Sequence, residues 1–361
     1  MKAAVCYELG KPLVVEDINI DAPKKGEVKV KMAATAICHS DIHALRGELG
    51  PQVPVVGGHE SAGYVDAIGE GVDTVKIGDP VIVSLVASCG HCYYCRKGQP
   101  HLCEFNWPLM TESRFKNKKG QSLAQMFKVG SFAEFTIVDQ SQVVKVPQDM
   151  PLDRAALLAC GVITGFGAVV WRMAVKAINS VVVIGTGGVG LNAIQGAAFT
   201  GAYPVIAVDV LDSKLEAAKK FGATHVINAK QGDPIEAVKK LTSGRGADYV
   251  FVTVGSSSAM AQGFRMSGKR GTTVLVGLPT PNDPTMALSP FEFIGTERVM
   301  TGGFMGSANL AIDIPNLVSL YKAGKLKLDE LITNRYPLDK INEAIESVEK
   351  GQALRNVIVF K

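Results

Sequence analysis

The chain has 361 residues, too many for one simple core, so two domains are expected. Hydrophobic residues make up 47% and charged residues 20%, an ordinary globular balance. The net charge of +4, with both signs interspersed, is too mild to imply a nucleic acid or an anionic membrane as partner.

The opening stretch MKAAVCYELGKPL lacks an apolar run, so no secretory signal is expected and the protein reads as cytoplasmic. Residues 1 to about 150 read as β-rich. KAAVCYE, LVVED, EVKVKMAATAI, GYVDAIG, DPVIVSLVA and FAEFTIV are short β-branched or alternating runs punctuated by Gly, Pro and Asp. Residues 104–130 show no clean period and read as a long surface loop, with Lys116, Lys118 and Lys119 exposed.

From about Leu152 the texture changes. Two uncharged runs, Ala155 to Trp171 and Ala177 to Val208, are long enough to cross a bilayer. Glycines interrupt both, and Pro204 breaks the second, so a buried helix and a buried strand–helix–strand are the better expectation, with no membrane partner. Apolar strands at 181–185, 205–209, 225–228, 249–255, 272–277 and 298–304 alternate with helical runs, which predicts crossover units and a six-stranded, doubly wound parallel sheet. Helical patterns follow beyond Gly306, and the final NVIVF reads as a strand that could return to the first domain.

GTGGVG places Gly185, Gly187 and Gly190 in the G-x-G-x-x-G spacing, after a strand and at the start of a helix. In that context the glycines let backbone approach a pyrophosphate, which the helix N-terminus attracts. Asp209 ends the next strand and can accept from ribose hydroxyls. No arginine follows it to meet a 2′-phosphate, so NAD is expected over NADP. Lys214 is near enough to assist at the ribose or to lie on a solvated helix face.

Seven cysteines without an export signal point to metal or catalytic roles rather than disulfides. Cys89, Cys92, Cys95 and Cys103 fall within fifteen residues at spacings that let four thiolates converge, a closed structural zinc site. His91 and His101 are bystanders to that complete set. Cys38 and Cys160, with His59 from GGHESAG, can together supply two thiolates and an imidazole and leave one coordination position open. Cys6 has no assigned role.

Four motifs, GHESAGYVDAIGEGV (58–72), CGHCYYCRKGQPHLC (89–103), CGVITGFGAV (160–169) and VVVIGTGGVG (181–190), together resemble the zinc-dependent medium-chain alcohol dehydrogenase family over essentially the whole chain. The resemblance implies an α/β fold: a GroES-like β-rich catalytic domain from residues 1–155 and 305–361, around a Rossmann domain at 156–304. It implies catalytic zinc on Cys38, His59 and Cys160, the Cys₂His set for which alcohol dehydrogenases are known. With the structural site, that makes two zincs per chain. Glu60 matches an alternate, transient ligand, and Asp41 matches an acid that orients the ligand histidine. Ser40 and His43 match a relay that carries the substrate proton to solvent. His39, where many relatives carry arginine, and Arg355 match pyrophosphate contacts. Thr164 matches a residue that lines the nicotinamide, and Gly188, Val189 and Val276 complete the implied cofactor set. Leu85 lies at a position that borders the substrate pocket in relatives, where an aliphatic residue in place of an aromatic one would leave more width for bulky alcohols.

The implied activity is reversible oxidation of a small-molecule alcohol to an aldehyde or ketone with NAD, in a homodimer or homotetramer. Two alternatives stand beside it. One is a thiol-adduct formaldehyde dehydrogenase, in which Arg114 and the lysines of 104–130 would clamp the adduct's carboxylates. The other is a non-catalytic nucleotide-binding relative.

Overall fold

A computed structural model describes residues 1–280, 282–283 and 285–361. The chain forms two compact units, Met1–Gly161 with Asn309–Lys361, and Val162–Ala308.

The first unit holds twelve of the strands, numbered along the chain: β1 Lys2–Cys6, β2 Val14–Ile20, β3 Glu27–Ala36, β4 Val55–Val56, β5 Ser61–Ile68, β6 Pro80–Val83, β7 Phe115–Asn117, β8 Ser122–Gln125, β9 Phe135–Asp139 and β10 Val143–Lys145, then β17 Ile332–Tyr336 and β18 Arg355–Val359. β3 shows why the sequence folds this way. Val28, Val30, Met32 and Ala34 alternate onto the buried face, while Lys29 and Lys31 point the other way. β1, β2, β7, β8 and β4 close a small barrel. A seven-stranded sheet runs β10-β6-β5-β3-β18-β17, with β9 also paired to β3. The carboxy-terminal β18 lies antiparallel to β3 and parallel to β17, so the last strand does rejoin the sheet begun near the amino terminus.

The stretch 104–130 is not the irregular loop its sequence suggested. β7 and β8 form a hairpin there, whose turn Asn117 pins by accepting from the Lys119 and Gln121 amides at 3.0 Å each. The strands are three and four residues long, too short to show a period. Phe115 and Leu123 are fully buried, and the Gln125 amide donates to the Ile137 carbonyl at 2.9 Å. The basic clamp that the thiol-adduct alternative would need loses its arginine here. Arg114 is buried in a two-bond pair with Glu27, at 3.0 and 2.5 Å. Lys116 and Lys118 form exposed pairs with Asp21 and Asp17.

The second unit is built on β11 Val181–Ile184, β12 Val205–Asp209, β13 His225–Asn228, β14 Ala247–Val252, β15 Ser267–Leu275 and β16 Val299–Gly302. All five pairings are parallel, in the order β13-β12-β11-β14-β15-β16, the doubly wound arrangement with a strand-order reversal between β11 and β14. The near-continuous apolar runs are explained by burial of Val182, Ile206, Val208 and Val250 on the face beneath helices 234–241 and 257–266.

Residues Leu152–Arg172 form one helical run of 21 residues. Among the described residues it is the one helix long and apolar enough to cross a membrane, yet 83% of its most apolar window is buried inside the protein. Within it, Leu158–Val162 and Ala168–Arg172 are π-helical turns, in which the hydrogen bonds run i→i+5 and widen the helix. Cys160 sits at the centre of the first.

Candidate active site

Three segments of the first unit meet at a buried cluster. Cys38 precedes the helix His39–Leu45, His59 precedes β5, and Cys160 lies in the π turn. Their Sγ, ring-nitrogen and Sγ atoms all lie within 4.8 Å of one another. His59 Nε2 is 3.3 Å from Cys160 Sγ. Tetrahedral ligands at zinc distances would stand about 3.5 to 3.8 Å apart, so the donor set fits a divalent cation in both chemistry and spacing.

Asp41 builds this geometry. One carboxylate oxygen accepts from His59 Nδ1 at 2.8 Å and from the Gly58 amide at 3.2 Å; the other accepts from the Cys38 amide at 3.2 Å. His59 and Asp41 are fully buried. With Nδ1 committed to Asp41, Nε2 is the nitrogen left to face the two sulfurs. Gly58 is required at its place. Its φ is +89°, and a Cβ would stand 2.6 Å from the Phe132 ring.

Without a cation, burial and the neighbouring charges act against one another in the cluster. Burial pulls the His59 imidazole pKa down, but the Asp41 carboxylate and the Cys38 sulfur together outweigh it and hold the pKa well above the ordinary value. Hydrogen bonding from Cys160 holds the Cys38 thiol well below its ordinary value, while the same bond and burial push Cys160 well up. Cys38 is thus the sulfur more readily deprotonated, and a bound cation would favour the thiolate form of both.

Glu60 is outside the ligating trio. Its carboxylate accepts from the Gly161 amide at 3.2 Å and pairs with the Arg355 guanidinium in a buried ion pair. Burial pushes its pKa up to about 7 despite Arg355. Gly161 makes room for the pair: a Cβ there would stand 3.2 Å from Arg355 Nη1 and 3.4 Å from Glu60 Oε1. Arg355, matched in sequence to a pyrophosphate contact, is thus held internally by Glu60.

The other cysteines gather separately. The Sγ atoms of Cys89, Cys92, Cys95 and Cys103 lie within 4.8 Å of one another, half-buried. Backbone amides orient them: Cys89 N donates to Cys103 Sγ at 3.3 Å, Cys92 N to Cys89 Sγ at 3.3 Å, and Cys95 N to Cys92 Sγ at 3.5 Å. The 3.9 Å from Cys92 to Cys103 sulfur matches the roughly 3.8 Å edge of a Zn–S tetrahedron. All seven cysteines are free, and Cys6 is a buried core residue of the first unit.

In the second unit, Gly185 has φ +88° and a Cβ on Gly190 would strike the Gly185 carbonyl at 1.8 Å, so the fold itself demands both glycines. Gly187 differs. Its φ is −75° and a Cβ there would meet nothing within 4 Å. Nothing in the chain requires that glycine, so its missing side chain keeps space open at the start of helix Gly188–Phe199, a cradle suited to a pyrophosphate. Val189 lies in that helix's first turn.

Asp209 ends β12 as expected, but its carboxylate is already engaged. One oxygen accepts from the Thr186 amide at 2.7 Å and hydroxyl at 2.9 Å, the other from the Val210 and Leu211 amides at 2.7 and 3.1 Å. Sequence reasoning passed over Thr186, which the glycine pattern treats as a free position. Thr164 is buried, with its hydroxyl 3.5 Å from Met305 sulfur. Val276 follows β15, its amide bonded to the Val252 carbonyl, and Lys214 lies half-exposed in helix Asp212–Lys220.

Ser40 and His43 share the helix His39–Leu45, whose first residue, His39, is exposed. The Cys38 thiol lies 3.8 Å from Ser40 Oγ. His43 does not simply face solvent; it is half-buried and hydrogen-bonded to Glu48. Another residue that the sequence did not single out is Phe127. Its ring edge meets the His59 ring at a 5.0 Å centroid separation and 76°. Its left-handed φ of +53°, unusual for an aromatic residue, swings the ring there, a signal invisible in sequence.

Comparison with known proteins accords with this geometry. Residues 24–148 match the family model described as the alcohol dehydrogenase GroES-like domain, and residues 188–323 match that described as zinc-binding dehydrogenase. The chain is 40% identical to an NDMA-dependent alcohol dehydrogenase of Amycolatopsis methanolica, over 99% of this chain and 98% of that one. The chain belongs to the zinc-type medium-chain alcohol dehydrogenase family. Among solved structures of that family, an alcohol dehydrogenase zinc-binding domain protein from Burkholderia ambifaria superposes with a TM-score of 0.95 at 32% identity, covering 100% of this chain and 98% of the other. The benzyl alcohol dehydrogenase of Acinetobacter calcoaceticus superposes with a TM-score of 0.92 at 33% identity, covering 100% and 99%. This alcohol dehydrogenase thus has the GroES-like and Rossmann-type parts of its family.

Proposed function

We propose that this alcohol dehydrogenase oxidises primary or secondary alcohols reversibly to aldehydes or ketones, passing a hydride to NAD, with two zincs per chain. The observation that supports it most is the Asp41–His59 hydrogen bond, which turns Nε2 toward the sulfurs of Cys38 and Cys160. These three residues would hold the catalytic zinc, and Cys89, Cys92, Cys95 and Cys103 the structural one. A zinc on the first set supplies Lewis-acid polarisation of the alcohol oxygen.

The chain's own residues do the rest. Asp41 keeps His59 in one tautomer and one orientation. The Glu60–Arg355 pair beside the cluster gives each buried polar group a partner there. Phe127 presents an aromatic edge, and Leu85 an aliphatic one at the position that borders the pocket in relatives; together they favour bulky or aromatic alcohols. Ser40 and His43 would carry the hydroxyl proton outward. For the cofactor, Gly187 leaves the cradle open, and Asp209 favours ribose hydroxyls over a 2′-phosphate. Assembly as a homodimer or homotetramer fits the free edge of β16, where Val299 is exposed.

A second reading concerns the electron acceptor, because the Amycolatopsis relative is named NDMA-dependent. The test is an initial-rate screen of aliphatic and aromatic alcohols with NAD, NADP or NDMA, paired with metal analysis. NAD-supported turnover with about two zincs per chain is expected. Turnover with NDMA and none with added NAD would replace NAD as the exchangeable acceptor.

A further inference from the structure

The helix His39–Leu45 ends in a tight reversal. Arg46 is its C-cap, and Gly47 follows with φ +87°. The Gly47 amide donates to the Ala44 carbonyl and the Glu48 amide to the His43 carbonyl, both at 2.9 Å. These are the two bonds of a Schellman motif, and they carry residue 48 back over residue 43. The side chains complete the link: the Glu48 carboxylate is hydrogen-bonded to His43 Nδ1, with both side chains about one-third exposed. The nearby guanidinium of Arg46 does not compete, because it pairs with Glu349 at 2.6 Å.

We propose that Glu48 is a positioning residue for alcohol oxidation, fixing the tautomer of His43 and balancing the charge His43 gains when it accepts the substrate proton. An ionised carboxylate can only accept, so the neutral imidazole must carry its hydrogen on Nδ1. Nε2 is then left with its lone pair, the one arrangement in which this histidine can take up a proton at its free nitrogen. Each alcohol oxidised releases one proton, from its hydroxyl, as the carbinol carbon gives up a hydride. That proton passes by way of Ser40 to Nε2, forming an imidazolium beside the Glu48 carboxylate, and leaves from there to water. The inference rests on the proposed alcohol oxidation.

The test uses the full-length, zinc-loaded protein with ¹⁵N-labelled histidine, the His43 signals being assigned with His43→Asn. Long-range ¹H–¹⁵N spectra should show His43 as the Nδ1–H tautomer in the wild type and in Glu48→Asp, and mainly as Nε2–H in Glu48→Ala. Alcohol oxidation by Glu48→Ala should lose about 10- to 100-fold in kcat with KM within about twofold, and Glu48→Asp should recover most of it. If Glu48→Ala fails to fold, Glu48→Met, of similar length, replaces it. An unchanged His43 tautomer overturns the proposal, and so does a changed tautomer with unchanged kcat. A wild type that turns over no alcohol refutes the functional reading instead, while the tautomer measurement still stands.

Discussion

Asp41 Oδ1 lies 2.8 Å from His59 Nδ1, and both side chains are wholly shielded from water. The same carboxylate holds the amides of Cys38 and Gly58, so one buried acid fixes two of the three donors by side chain and backbone together. Replacing it by asparagine keeps the shape but lets the amide group donate to Nδ1, which would turn the hydrogen, and not the lone pair, of Nε2 toward the sulfurs. Asp41→Asn should weaken zinc at the Cys38–His59–Cys160 site by about 10- to 100-fold, read by chelator competition, with the Cys89–Cys103 site unaffected. Equal loss from both sites would contradict this role.

The four-cysteine cluster makes a prediction about pH. In the metal-free protein the backbone amides of Cys95 and Glu104 lower the Cys92 thiol to about 6, whereas burial raises Cys95 to about 12. Only thiolates alkylate readily, so Cys92 should react with iodoacetamide as pH rises through about 6, while Cys95 stays unmodified at pH 8. Peptide mass spectrometry reads the sites directly. Zinc should protect all four; comparable labelling of Cys92 and Cys95 would show that their environments are not so different.

Thr186 predicts an effect on cofactor affinity. The Asp209 carboxylate already accepts four protein hydrogen bonds, about its full capacity. For NAD to bind as proposed, its ribose hydroxyls must displace a donor. Thr186→Val removes one of them at nearly constant volume. It should tighten NAD binding by about two- to tenfold, measured by calorimetry or fluorescence titration. Weaker binding would mean that the threonine hydroxyl helps the ligand directly.

Arg114 separates stability from catalysis. Its guanidinium is 3% exposed and the Glu27 carboxylate 8%, and truncating it leaves a buried carboxylate without its partner. Arg114→Ala should cost about 3 to 5 kcal/mol of stability, seen as a lower denaturation midpoint. Turnover per folded molecule should be unchanged, with formaldehyde showing no demand for an added thiol. A thiol-dependent formaldehyde activity that this variant loses would restore the clamp.

What the sequence made legible was local. The spacing of Cys89, Cys92, Cys95 and Cys103 is confined to fifteen residues, and short turns bring such thiols together whatever the rest of the chain does. The parallel sheet was equally readable, because its central strands β11 and β12 are buried almost throughout and so appear as unbroken apolar runs. What depended on distant partners was not. Glu60 and Arg355 are 295 residues apart, and no periodicity announces that they meet. Cys160 reaches His59 across 101 residues, and the resemblance, not any spacing, brought them together in advance. The β7–β8 hairpin escaped notice because lysines crowd its exposed face, and Phe127 because only a left-handed backbone turns its ring toward His59.

The central claim is that Cys38, His59 and Cys160 hold the ion on which alcohol oxidation depends. Its most direct test is Cys160→Ser, with zinc content and initial rates measured on protein whose fold circular dichroism confirms. We predict about one zinc per chain in place of about two, with oxidation slowed at least about 1,000-fold. Loss of that zinc with the wild-type rate retained would contradict the account.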